Sequence, residues 1–291
     1  MTSHAADRLL DAIDRTAAPV CVGIDPVRER LPRPLTPRTR SGSSAVAAIR
    51  AFVLGVLDAV TGHVPCVKFQ SACFERYRAE GIGARDELIG EARRRGLEVI
   101  LDAKRGDIGI SAEHYAAAAF DHDPSRPDWV TINAYLGQET IMPFLREGRG
   151  AFALVRTSNP GGDVLQAQPL ADGRTVAECL ADIVAAAGAE SLGKSGYSSL
   201  GAVVGATKPA DAVALRQRMP HQIFLVPGYG AQGGGPDDVL PCFHHDGRGA
   251  IVSAGRSVIY AFPPETDRWE PAVTDAARRF ADEVGRAVGL R

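Results

Sequence analysis

The sequence predicts an α/β fold, a closed (β/α)8 TIM barrel, on three observations. Eight short β-rich runs recur along the 291 residues, most of them followed by a helical pattern. Such alternation gives parallel strands joined by right-handed crossovers, and eight units in a chain of this length suit a closed barrel. No G-x-G-x-x-G follows the first strand, which counts against the runner-up, an open doubly wound sheet.

In chain order, "MTSHAADRLLDAIDRT" reads as an amphipathic helix with Leu9, Leu10 and Ile13 on one side. Its acidic residues and lack of a long apolar core are unlike a signal peptide. The strands fall at 19–25, 65–70, 97–104, 128–135, 151–158, 201–207, 222–228 and 249–255. Helix-like segments lie at 44–61, 75–95, 111–121, 139–147, 175–189 and 208–218. A last one at 274–288 closes the chain, and Trp269 and Phe280 in this helix-rich end read as packing. Long loops follow strand one ("VRERLPRPLTPRTRSGSS"), strand five ("NPGGDVLQAQPLADG") and strand seven ("GYGAQGGGPDD"). They lie on the face where barrel enzymes keep their chemistry. No domain boundary is visible, so residues 1–291 are expected to form a single barrel domain.

Composition narrows the function classes. Hydrophobic content of 45% and charged content of 23% are ordinary for a soluble globular chain. A net charge of −2 argues against a broad basic surface for nucleic acid. No run approaches the roughly 18 to 20 apolar residues needed to span a bilayer. Cys21, Cys66, Cys73, Cys179 and Cys242 are dispersed without CxxC spacing, the pattern of reduced thiols in a cytoplasmic protein.

The third strand carries the densest chemistry. In "VILDAKRGDIG", alternation puts Ile100, Asp102 and Lys104 on the inward face and Val99, Leu101 and Ala103 against the helices. The same count groups Cys21, Gly23 and Asp25 on strand one, and Cys66, Lys68 and Gln70 on strand two. One charge at a strand end is ordinarily a turn residue or a solvated group. Three consecutive strands ending this way bring Asp25, Lys68, Asp102 and Lys104 to one mouth as a paired network.

A second group suggests a ligand. Loops after strands seven and eight of barrels commonly hold a phosphate on backbone N–H groups. Here they are "VPGYGAQGGGPDD" and "SAGRSV", with Arg256 able to offer a bidentate fork. The plain alternative is a flexible glycine-rich surface loop. His244, His245 and Asp246 have no further ligand at metal-site spacing and read as an exposed loop, so no metal is expected. His114 reads as a helix-surface or packed residue, and the tripeptide at 105–107 as a strand-end turn.

"LDAKRGDIG" resembles the D-x-K-x-x-D-I signature of the orotidine 5'-phosphate decarboxylase family, in its longer bacterial form. "CVGIDP", "VKFQSACFE", "LVRTSNPG", "GAVVGAT" and "LVPGYGAQGG" are similar to that family's blocks, in family order over about residues 19–260. The resemblance implies a cofactor-free barrel homodimer that converts orotidine 5'-phosphate to UMP and carbon dioxide in de novo pyrimidine synthesis. It implies Lys104 as proton donor to C6, Asp102 beside the substrate carboxylate, and Lys68 holding the charged network and a ribose hydroxyl. Asp25 would bind ribose. Asp107 would reach across the dimer interface into the neighbouring site, with Ile108 beside it. Ser111 stands where the short form of the signature carries Thr and keeps the hydroxyl. Ser158 matches the pyrimidine contact, with Asn133 at a neighbouring strand end. Gln232, Gly255 and Arg256 match the phosphate grip, and Gly230 belongs to the glycine-rich loop whose backbone donors can approach a phosphate closely. Strict alternation would put Ser158 with Arg156, so a bulge or strand end must set its direction.

Two other readings remain open at this stage. One is a related barrel using Lys68 or Lys104 as a Schiff-base lysine or acting on another sugar phosphate. The other is a non-catalytic nucleotide-binding relative.

Overall fold

The computed structural model describes residues 3–35, 42–123, 125–230, 233–263 and 265–291. The chain enters through α1 (Ala5–Thr16) and β1 (Val20–Ile24), then α2 (Gly42–Val60), β2 (Cys66–Gln70), α3 (Ser71–Glu75) and α4 (Arg78–Arg94). β3 (Glu98–Arg105), α5 (Gly109–Phe120), β4 (Trp129–Asn133) and β5 (Gly150–Arg156) follow. Next come α6 (Asp163–Gln166), α7 (Val176–Gly188), β6 (Leu200–Val204), α8 (Pro209–Arg218) and β7 (Phe224–Pro227). The chain ends with α9 (Pro236–Val239), β8 (Ala250–Ala254), α10 (Arg256–Ile259) and α11 (Glu270–Ala287). The eight strands close in chain order into a parallel barrel, with Val20 of β1 registered on Val252 of β8.

Every expected strand is present. The alternation is seen as two layers of core. Val20, Val22, Val67, Phe69, Val99 and Leu101 pack outward under the helices. Cys21, Cys66, Ile100, Trp129, Phe152, Leu225 and Ile251 fill the barrel. A Cβ on Gly150 would stand 2.3 Å from the Trp129 ring, so glycine there makes room for the indole that stacks on Phe152. Helix α1 stops the lower end of the barrel with Ala5, Ala6, Leu9, Leu10 and Ile13, which join the inner cluster. Each buried leucine contributes about 1.5–3 kcal/mol of transfer free energy.

Three helical expectations are corrected. Segment 139–147 is not an α-helix; the region forms three short 3-10 turns, Ala134–Leu136, Gln138–Thr140 and Met142–Phe144. Gly137 at φ +106° and Pro143, which has no N–H, interrupt the hydrogen-bond ladder that a helix needs. Segment 75–95 divides into α3 and α4, with Arg78 at φ +55° at the break. The final helix begins earlier than 274, at Glu270, because Pro271 suits the first turn of a helix. Helix α7 starts on a reciprocal cap: Thr175 Oγ1 accepts the Glu178 N–H and Glu178 accepts the Thr175 N–H.

Candidate active site

At the upper ends of β1 to β3 the inward charges meet, with Thr131 of β4 beside them. Asp102 is their hub. Its Oδ2 accepts from Lys68 Nζ at 2.8 Å and Gln70 Nε2 at 3.3 Å. Its Oδ1 accepts from Lys104 Nζ at 2.6 Å and Thr131 Oγ1 at 2.8 Å. Lys68 also lies 4.0 Å from Asp25 Oδ1. Lys68 and Asp102 are each 7% exposed, whereas 47% of the Lys104 side chain is open.

The electrostatics follow from that pairing. Burial alone would raise the Asp102 pKa, but Lys68 and Lys104 outweigh it and hold the carboxyl well below the usual range. Burial likewise opposes the charge on Lys68, yet Asp102 and then Asp25 outweigh it and hold its pKa above the ordinary lysine value. Burial pushes Cys73, on the wall nearby, up to about 11, so it lines the site as a neutral thiol.

Lys104 owes its aim to a break in the sheet. β3 and β4 pair at Leu101–Val130 and again at Arg105–Ile132, so Asp102, Ala103 and Lys104 stand opposite Thr131 alone. This bulge places Lys104 at φ +47°, a left-handed conformation that costs a non-glycine residue about 1–2 kcal/mol. The Lys104 N–H, with no ladder partner there, donates to Thr131 Oγ1 at 2.9 Å.

The cluster forms one side of a cavity of about 480 Å³. Leu154, Val203 and Leu225 give it an apolar wall, and Thr157, Ser158, Asn159, Gly228, Tyr229, Gly255 and Arg256 form its rim. The expected irregularity before Ser158 is present: β5 and β6 slip register between Leu154 and Arg156. Arg156 consequently turns to Asp211 and Asp163, both at 2.6 Å, and Ser158 reaches the cavity. Thr207 Oγ1 donates to the Ser158 carbonyl, and a Cβ on Gly205 would stand 2.7 Å from Ser158 Cα. Glycine is therefore needed at 205 for this approach. Gly255 serves Asp25 in the same way, since a Cβ there would meet the carboxylate at 2.5 Å.

Of the residues singled out in the sequence, Asp25, Lys68, Asp102, Lys104, Ser158, Gly255 and Arg256 converge on this cavity. Gly230 sits one step past the rim, its N–H given to the Gly234 carbonyl at 2.8 Å. Gln232 lies outside the described residues. Asp107, Ile108, Ser111 and Asn133 do not line the cavity. Asn133 instead accepts the Tyr135 N–H at 3.0 Å, and Ile108 is exposed beside exposed Ile110. Sequence reasoning gave no role to Gln70 or Thr131. The available signal was the two-residue period: Gln70 shares a face with Lys68, and Thr131 stands one period before Asn133.

The sequence profile of the orotidine 5'-phosphate decarboxylase / HUMPS family matches residues 18–267. Orotidine 5'-phosphate decarboxylase of Rhodopirellula baltica is 40% identical over 297 residues, covering 96% of this chain and 98% of that protein. The Deinococcus radiodurans protein of the same name is 39% identical over 277 residues, covering 93% of each. Among solved structures, Leishmania donovani UMP synthase superposes with a TM-score of 0.79 at 30% identity, over 99% of this chain and 57% of that one. The Leishmania donovani OMP decarboxylase gives 0.77 at 27% identity, over 98% and 99%.

Proposed function

The chain belongs to the orotidine 5'-phosphate decarboxylase / HUMPS family, and we propose that its cavity converts orotidine 5'-phosphate to UMP and carbon dioxide, the last step of de novo pyrimidine synthesis. The observation that carries this reading is the Lys68–Asp102–Lys104 cluster on one side of the cavity. Decarboxylation breaks the bond from C6 to the carboxylate and leaves the electron pair on C6. A proton must then arrive there, so substrate plus one proton gives UMP and carbon dioxide.

Two lysines are at hand, and their surroundings separate their roles. Lys68 is buried between Asp102 and Asp25 and holds the network in place. Lys104 is open to the cavity and is assigned as the donor to C6. Its ammonium stabilises the developing carbanion and then protonates it, a pair of tasks that an arginine, which holds its proton more tightly, could not combine. Asp102 faces the substrate carboxylate and is relieved as carbon dioxide leaves. Two such charges about 4 Å apart at an effective dielectric of about 20 interact by roughly 4 kcal/mol. That is at most roughly a thousandfold in rate, so fixed stabilisation of the carbanion supplies the larger share.

The remaining residues are assigned by position. Asp25 and Lys68 take ribose hydroxyls, Ser158 the pyrimidine, and Gly255 with Arg256 the phosphate at the rim. Asp107, Ile108 and Ser111 are assigned to the neighbouring subunit's cavity in a homodimer. Exposed Ile108, Ile110, Tyr135, Leu136 and Met142, an apolar group next to them in sequence and strand order, support that assembly.

The test is the loss of orotidine 5'-phosphate absorbance with purified protein, with and without EDTA, beside Lys104→Ala. Chelator-insensitive formation of UMP that collapses in the variant is the expected result. No conversion by folded wild-type protein would reject this substrate.

A further inference from the structure

We infer that Thr131 is a positioning residue whose single hydroxyl locks the strand bulge that aims Lys104 at the substrate. This inference rests on the decarboxylase reading above. Thr131 is buried, lines the cavity, and faces three residues of β3 by itself. A hydroxyl offers one donor and two acceptor sites, and both kinds are used here. Thr131 Oγ1 accepts the Lys104 N–H at 2.9 Å and donates to Asp102 Oδ1 at 2.8 Å. That same oxygen takes Lys104 Nζ at 2.6 Å. The contacts close a ring that leaves Lys104 by its backbone and returns to it at its ammonium.

The ring has a physical purpose. Lys104 sits in a strained left-handed conformation that relaxes unless something holds it. Its N–H lies in the gap of the ladder, where no β4 carbonyl is registered on it. Threonine suits the position twice, being β-branched, and so stiff at χ1 and at home in a strand. Removing the hydroxyl alone would strand a donor on Lys104, take one of the four donors from Asp102, and loosen the aim of the ammonium. The rim groups assigned to phosphate and pyrimidine, Arg256 and Ser158, share no hydrogen bond with this ring among the described residues. Transition-state stabilisation should therefore suffer more than binding.

The experiment compares wild type, Thr131→Val, which keeps the shape, and Thr131→Ser, which keeps the hydroxyl. We expect Thr131→Val to lower kcat by about tenfold to a hundredfold, as for buried hydrogen bonds lost from a reacting group, with KM and the UMP Kd within about threefold. Thr131→Ser should recover kcat to within about threefold of wild type. Amide hydrogen exchange in a peptide spanning 101–107 should quicken in the valine variant and not in the serine one. A valine variant with wild-type kcat, a KM that rises in step with the loss, or a serine variant no better than valine would each overturn the inference. If Thr131→Val fails to fold, Thr131→Ala against Thr131→Ser decides by the same split. Absence of turnover in wild type would instead reject the decarboxylase reading, so the two failures are told apart by the control.

Discussion

Lys104 Nζ rests 2.6 Å from Asp102 Oδ1, although the two residues stand two positions apart on one strand. In a regular strand that spacing separates Cα atoms by about 6.6 Å with the side chains side by side. The bulge opposite Thr131 and the +47° φ of Lys104 bring the ammonium back over the carboxylate. Asp102 thus does two things at once: it keeps the buried Lys68 charged, and it sets where Lys104 points.

From that arrangement Lys104→Ala is expected to lower kcat by at least about a thousandfold, because it removes both charge stabilisation and the proton donor. UMP should still bind, since the rim groups are untouched. Lys104→Arg should not recover turnover, as guanidinium does not release its proton. Turnover by absorbance and UMP affinity by calorimetry check this. Near-wild-type kcat in the arginine variant would remove Lys104 from the proton-transfer step.

Asp102→Asn tests the same cluster through stability. Removing one partner of a buried ion pair costs about 3–5 kcal/mol, and Asp102 is the partner of two lysines. The sign with pH is fixed by the direction of its shift. Its folded pKa lies below the ordinary aspartate value, so its contribution is full above about pH 4 and is lost as pH falls through the depressed folded value. Urea unfolding at pH 7 and at pH 3 should show a large deficit for the variant that narrows on acidification. A deficit that does not change with pH would assign the loss to packing.

The cluster was largely legible in the sequence because closure of the barrel makes a two-residue period unambiguous. Cys21, Cys66 and Ile100 face inward, so Asp25, Lys68 and Asp102 above them must as well. What the period does not carry is register between strands. Thr131 is an ordinary strand residue until three residues of β3 are set against it, and that mismatch belongs to neither strand alone. Arg156 shows the same limit: the slip against β6 turns it to Asp211, a residue of α8 distant in sequence. The helix expected at 139–147 fails for a local reason: Gly137 at φ +106° and Pro143, which has no N–H, break the hydrogen-bond ladder there.

The lower end of the barrel should make stability depend on pH independently of the site. Glu98 is held by Arg8 at 3.2 Å near Asp128, and burial, then the Asp128 charge, pushes its pKa up to about 7. Its folded pKa exceeds the ordinary glutamate value, so the contribution is full below about pH 4.3 and lost as pH rises through about 7. Glu98→Gln removes that titration. Its Tm should fall less than that of wild type between pH 5 and 8, so that the difference moves in favour of the variant at pH 8. Parallel Tm curves would mean that Glu98 does not carry the dependence.

The assignment of Asp107 to the neighbouring site makes a prediction that a self-contained site cannot meet. Asp107 follows the Lys104 bulge by three residues yet does not line the cavity of its own subunit. If it serves the partner, Lys104→Ala and Asp107→Ala subunits are each inactive alone but complementary together. In a mixed dimer, the cavity of the Asp107→Ala subunit has its own Lys104 and receives an intact aspartate across the interface. The other cavity lacks both. Random mixing makes about half of the dimers hybrid, with one complete site in each, so about a quarter of all sites should regain activity. Differently tagged variants, mixed, re-equilibrated and assayed for UMP formation, give the number directly. Mixed dimers recovered on both tags with no gain over the parents would place Asp107 outside the neighbouring site.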